Sequence, residues 1–366
     1  MKKKNRIYAA AIAALMCTGI LTACGNESTG GSSDGTEKAK AESVNILAWS
    51  GNGTDEQINI IKEQTGITAN FTNFTMLEEM LAKLLSGGIN YDVVISGDYM
   101  INTMASQGML TELDHDILAD QFANTDPAFL DKAYDPGNKY CIPSSGGQVG
   151  IMVNRDKVTQ EITSYADLWD PEFAGQIVIL DDQRILMGIG NVLTGGDFNS
   201  TDEAQLEKSE AKLEELLPNI KTFLSFTQYT PMLNGECSIA VGWSHEAFQM
   251  SKQLENWEYI YPSEGMHMYN DCYVIPTSCS DIDAAYAVIK CMLSDEYYAA
   301  SHADNPGTRN ASISFRETLD DYEKNSSIIF PPAEQEEKGL FLENLGEEMT
   351  KYDTLWTEFK QKASMQ

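Results

Sequence analysis

From Val44 onward, short apolar runs alternate with segments of helical period, and that alternation confines the chain to an α/β architecture built on an open sheet. Val44–Trp49 (VNILAW) reads as a buried strand that empties into a Ser-Gly-Asn-Gly loop. Asp55 opens a helix with Ile58, Ile61 and Thr65 on its apolar side, and Gly66 stands where a C-cap is needed. Ile67–Phe71 is the next strand. Thr75 followed by Glu78 predicts a capping box, ahead of a helix with the apolar stripe Met76, Met80, Leu81 and Leu84. Tyr91–Ser96 (YDVVIS) is a third strand, and the loop after it leads into a helix ending near Gly108.

A second α/β unit starts near Gly147. Its strands are expected at 149–154, 176–180 and 238–242, the last ending in Trp243, with a short helix near 165–168 and an acidic one over 201–217. A strand over 272–276, a helix over 281–300 and closing helices near 334–345 and 347–363 complete the pattern. A folded part of roughly 320 residues outgrows a single core, so two lobes are expected. In open α/β sheets ligands sit beyond the carboxyl ends of strands, which directs attention to the loops after Trp49 and Ser96.

The N-terminus gives an address. Lys2, Lys3, Lys4 and Arg6 precede an apolar stretch from Tyr8 to Leu21, and Leu21-Thr22-Ala23-Cys24 is a lipobox, with Cys24 the expected lipidated residue after cleavage of a signal peptide over 1–23. The apolar run is too short to span a bilayer stably. Residues 24–43 hold no large apolar side chain and read as a flexible tether, so the membrane contact is expected through the lipid alone, on the extracytoplasmic side.

With 25 Lys and Arg against 55 Asp and Glu, the net charge is −30, which excludes nucleic acid as a natural partner and is compatible with a cationic one. Cys141, Cys237, Cys272, Cys279 and Cys291 show no CxxC spacing and read as small buried hydrophobes, with a Cys272–Cys279 bridge as the alternative. His115, His245, His267 and His302 are scattered, and neither a metal nor a cofactor is indicated. There is no GxSxG elbow or phosphate-binding GxxxxGK[ST] loop, and Ser144-Ser145-Gly146-Gly147 lacks an accompanying SxxK, so an enzyme is not expected.

Loop positions from both halves form a more telling set: Trp49, Tyr99, Trp243 and Tyr269 with Asp98, Asp182 and Asp271. Aromatic faces attract ammonium groups by about 0.5–2 kcal/mol each and cover methylenes. Carboxylates supply the charge-assisted hydrogen bonds that replace lost water. The set suits an amine with an aliphatic body.

Several runs carry a family resemblance: Tyr140–Pro143 (YCIP), Gly150–Asn154 (GIMVN), Thr163–Gly175 (TSYADLWDPEFAG) and Leu180–Arg184 (LDDQR). They resemble the bacterial spermidine/putrescine-binding proteins, the receptors of polyamine ABC importers, and the similarity spans nearly the whole chain after the tether. The resemblance implies a two-lobed periplasmic-binding-protein fold of type II with crossing hinge strands. Lobe 1 would comprise 44–146 plus 271–314, and lobe 2 147–270 plus 315–366. It further implies a monomer that closes on a polyamine and delivers it to ABC permease subunits. Carried over position by position, the ligand contacts are Trp49, Ser96, Asp98 or Tyr99, Asp182, Trp243, Tyr269 and Asp271, with Asn52 where the family has Tyr. Ile185 replaces a family carboxylate, and Leu342 or its neighbour a late Gln. Putrescine, spermidine or another organic cation therefore all stay open as ligands; ferric ion is a further alternative, through Tyr297-Tyr298.

Overall fold

Ten strands and the helices between them are built from the alternation seen in the sequence. The computed structural model describes residues 42–365. The expected signal peptide with Cys17, the expected lipidation site at Cys24 and most of the expected tether lie outside these residues. The strands are β1 (Ser43–Trp49), β2 (Thr68–Phe74), β3 (Val93–Gly97), β4 (Cys141–Asn154), β5 (Ile177–Leu180), β6 (Ile220–Leu224), β7 (Ile239–Trp243), β8 (Trp257–Ile260), β9 (Met268–Val274) and β10 (Arg309–Asn310).

One continuous order, β2-β1-β3-β9-β4-β7-β5-β6, contains two parallel βαβ sets, β2-β1-β3 and β7-β5-β6. Antiparallel β9 and β4 join them. β4 is the longest strand, because its first half pairs with β9 and its second half, from Val149, crosses to β7 and β8. Such a strand is buried at both ends and reads as apolar only in the second half, where the residues are Val149, Ile151 and Val153. In the first half Ser144, Gly146 and Gly147 interrupt the apolar signal, so the sequence predicts only the 149–154 portion.

Buried apolar clusters fall on either side of this crossing. Two draw on residues of 44–142 and 272–315, two on residues of 149–260 and on Tyr352 and Phe359 of the helix Met349–Ala363. Among the described residues no helix is long and apolar enough to cross a membrane.

Local chemistry sets the helix starts. In α1 (Asp55–Thr65), Thr54 and Gln57 form a capping box and Gly66, at φ +74°, ends the helix. α2 (Leu77–Ser86) differs from expectation: its N-cap is Met76, and Thr75 pairs with Glu79 rather than Glu78. The helix expected over 281–300 is two, Ile282–Met292 and Asp295–Asp304, because Ser294 caps the second by accepting the Tyr297 amide. The helix expected over 334–345 is a single turn, Ala333–Glu336; beyond it Leu340 bridges His267 as extended chain. A helix the sequence reading missed, Gln183–Leu193, starts directly after Asp182. All five cysteines of the folded part are free, so there is no Cys272–Cys279 bridge.

Candidate functional site

Several of the expected site residues stand at the ends of parallel strands, and the first of them, Trp49, closes β1 as Trp243 closes β7. Trp49 packs against Phe74 with ring centroids 4.5 Å apart and donates its indole Nε1–H to Asp271 Oδ1 at 2.8 Å. Its loop is held by side-chain amides. Both Asn52 Nδ2 and Asn73 Nδ2 donate to the Trp49 carbonyl, at 3.2 and 2.9 Å. Asn52 thus commits one amide N–H to the Trp49 carbonyl. Gly53, at φ +81°, lies under Phe71, where a Cβ would come within 2.5 Å of the ring.

β9 supplies the floor by simple alternation. Tyr269 and Asp271 share a face and are half-buried, and His267, just before the strand, continues it. The Tyr269 ring meets Trp243, at the end of β7, edge to face with centroids 5.2 Å apart, and lies 6.4 Å from His267. Trp243 is fixed by its own Nε1–H donating to the Ser225 carbonyl, at the end of β6, at 3.0 Å.

The loop expected after Ser96 is absent, since α3 (Asp98–Ser106) begins at once after Gly97. Asp98 is buried; Oδ1 accepts the Tyr99 amide at 2.6 Å and Oδ2 the Asn270 amide at 3.3 Å. Ser96 is fully buried and donates to the Gly97 carbonyl, leaving no free face. Tyr99 is half-buried. Its hydroxyl donates to Glu78 at 3.0 Å, and its ring lies 5.5 Å from the guanidinium of Arg184. Asp182 is the N-cap of the helix Gln183–Leu193, accepting the Ile185 amide at 3.0 Å.

Trp49, Asp98, Trp243, Tyr269 and Asp271 are thus joined by direct contacts along β9, and Tyr99 and Asp182 meet around Arg184. The Asn52 and Ser96 side chains are turned to backbone partners. His267 and Arg184 were not among the sequence candidates. Period-two spacing from Tyr269 and Asp271 points to His267; Arg184 sits in the quoted LDDQR run, but nothing in that run marks it as buried.

Burial dominates the electrostatics. It pushes Asp271 up to about 7, against the Trp49 hydrogen bond that favours the ionised form. Asp98 is also pushed up to about 7 by burial; the Tyr99 and Asn270 amides oppose the shift and the charge of Asp271 reinforces it. Asp182 is raised by burial against the amides of Ile185 and Arg184 and the Arg184 charge. Burial lowers His267 to about 4, so its ring is neutral at physiological pH. Desolvated carboxylates facing aromatic rings gain most from a cation that restores their charge partner.

Tyr297 and Tyr298 are buried in an apolar core, the latter donating to the Ser144 carbonyl at 3.1 Å. Among the described residues no group of three His, Cys, Asp or Glu side chains is placed to hold a metal ion.

Residues 56–324 match the family of bacterial extracellular solute-binding proteins. The chain is 28% identical over 356 residues to the spermidine/putrescine-binding periplasmic protein 1 of Haemophilus influenzae, covering 96% of this chain and 98% of that one. It is 29% identical over 300 residues to the spermidine/putrescine-binding periplasmic protein of Escherichia coli, covering 81% and 86%. Among solved structures, the spermidine/putrescine ABC transporter substrate-binding protein PotD from Streptococcus pneumoniae superposes with a TM-score of 0.76 at 31% identity, covering 88% of this chain and all of that one. The expected two-lobed binding-protein fold is therefore the fold found.

Proposed function

The chain belongs to the bacterial extracellular solute-binding proteins, and from that premise we propose that it captures a polyamine of the putrescine or spermidine type between two closing lobes and hands it to an ABC permease. The observation that carries this reading is the Asp271–Trp49 pair, a carboxylate 2.8 Å from an indole donor, with the rings of Tyr269 and Trp243 alongside. An ammonium at Asp271 would gain a charge-assisted hydrogen bond, and its methylenes would lie on the aromatic faces. Relatives named for spermidine and putrescine support the same ligand class.

Lobe 1 is taken as 44–146 plus 271–314 and lobe 2 as 147–270 plus 315–366; the division of the buried clusters about β4 supports the split at that strand, while Phe315 and Leu319 pack with the lobe 1 cluster and draw the last limit beyond 314. Ligand contacts from both sides would favour the closed form over the open one. Capture needs no bond to be made or broken. Cleavage before Cys24, lipidation of that residue and the tether to Ser43 would keep the receptor outside the membrane and within reach of its permease, a reading supported by the basic leader and the lipobox.

Calorimetric titration with putrescine and spermidine tests the assignment. Binding of at least one, weakened about tenfold or more in Asp271→Asn, is the expected outcome, because a hydrogen bond to a charged partner is worth about 1.5–3 kcal/mol. No heat with either amine, or an unchanged Kd in the variant, would overturn it.

A further inference from the structure

The ring of His267 offers a bare acceptor to the aromatic floor. His267 is 3% exposed, and three rings surround it: Phe198, nearly parallel with centroids 6.1 Å apart, Tyr269 at 6.4 Å, and Trp243, edge to face, at 6.4 Å. Its Nδ1 lies 3.0 Å from the Leu340 carbonyl, which also accepts the Met268 amide at 2.9 Å. A carbonyl only accepts, so Nδ1 carries the ring proton and Nε2 keeps a lone pair. Nε2 has no hydrogen-bond partner among the described residues and, unlike the orphaned Nδ1 of His302, is not shut away from solvent.

The neighbouring rings have placed their own polar atoms elsewhere. Trp243 donates its indole N–H to the Ser225 carbonyl, and the Tyr269 hydroxyl lies against β4, 2.7 Å from where a Cβ on Gly147 would stand. His267, Tyr269 and Asp271 follow one another at every second residue, so the three side chains share one face of the extended chain with Tyr269 in the middle. Burial keeps the imidazole neutral at physiological pH, opposed by the Leu340 hydrogen bond and aided by the charge of Arg184. A neutral ring takes an N–H from a cation without repelling it, whereas a protonated ring would have no lone pair to offer.

We infer that His267 is a ligand-binding residue that sets specificity at the end of the ligand away from Asp271, where its Nε2 accepts a hydrogen bond from an amine N–H. The inference rests on the polyamine reading above and adds a demand on the ligand's second end. With one ammonium at Asp271, the aliphatic body runs over the Tyr269 ring, and the next side chain on that face is His267. A ligand ending in a methyl group there would cover the Nε2 lone pair without matching it, and an unmatched buried acceptor costs free energy. A polyamine is thereby told from a monoamine by an uncharged group as well as by carboxylates.

Nitrogen-15 NMR of the purified protein labelled at its histidines, titrated with putrescine and with spermidine, tests this. In the ligand-free protein His267 should show a protonated Nδ1 and a bare Nε2, and the bare resonance should move upfield as ligand is added. Calorimetry adds butylamine as a ligand and His267→Phe, which keeps an aromatic ring and removes the acceptor. Whichever polyamine binds should be weakened at least about tenfold in the variant, with butylamine held within about twofold. Nε2 unmoved at saturation, or butylamine weakened as much as the polyamine, overturns the inference and leaves the polyamine reading standing. No binding of either polyamine overturns both. Where His267→Phe does not fold, the nitrogen resonances of the unaltered protein still decide.

Discussion

Asp271 is the residue on which the proposed site turns, and its protonation should be visible in binding. Its carboxyl and that of Asp98 are both pushed up to about 7 by burial, so in the ligand-free protein each holds a proton more readily than in the unfolded chain, where an aspartate titrates near 4. Two consequences follow with fixed sign. Between about pH 4 and 7 the folded state binds more protons than the unfolded state, so the stability of the ligand-free protein falls as pH rises through that window. An ammonium favours the ionised carboxylates, so binding expels protons and affinity rises with pH, by up to about tenfold per unit for each proton displaced, levelling above 7. Titrations from pH 5.5 to 8 in buffers of differing ionisation heat measure both Kd and proton release. A Kd independent of pH across that range would show that neither carboxyl changes charge on binding. Arg184 is the residue the sequence hid: a buried arginine without an ion pair has no local signature, and only the approach of Tyr99 and Tyr352, distant in the chain, defines it.

At the scale of elements, most strands and helices were legible because their period is local, while the joins between them were not. α1 has its capping box and Gly66 in the sequence, and both are used. β4 could be read only from Val149, since its first half carries Ser and Gly where it crosses β9. Asp98 reads as a loop residue, yet it opens α3 directly, because both its oxygens find backbone amides to accept. The aromatic and acidic set at the strand ends was legible as a set. The turning inward of Asn52 and Ser96 was not, since it depends on the tight return of the loop after β1 and on burial of β3. The β4–β9 crossing makes a testable demand. A Cβ at Gly146 would stand 2.5 Å from the Tyr269 carbonyl and 2.9 Å from the Phe129 ring, so the strands would have to part under Tyr269. Gly146→Ala should cost about 1–3 kcal/mol, lowering Tm by several degrees in a thermal melt and weakening ligand binding with it. An unaltered Tm would mean that the crossing has room to yield.

For the whole molecule, the proposed lipid on Cys24 would keep a two-lobed receptor near its permease. Cys24→Ala should leave ligand binding unchanged while moving the protein from the membrane fraction to the soluble fraction of lysed cells, as followed by immunoblot. Retention in the membrane fraction would remove the lipid from the account without touching the cleft. The alternation of strands and helices identified the fold class, and the quoted motifs identified the family; what neither contained was how far burial would raise the carboxyls of Asp98, Asp182 and Asp271 once the chain has folded. The most direct test of the central claim is a crystal structure of the protein grown with putrescine. Putrescine is expected between the lobes, one nitrogen within about 3 Å of the Asp271 carboxylate and its methylenes against Tyr269 and Trp243. Putrescine bound elsewhere, or a cleft left unchanged with Asp271 holding only Trp49, would contradict it.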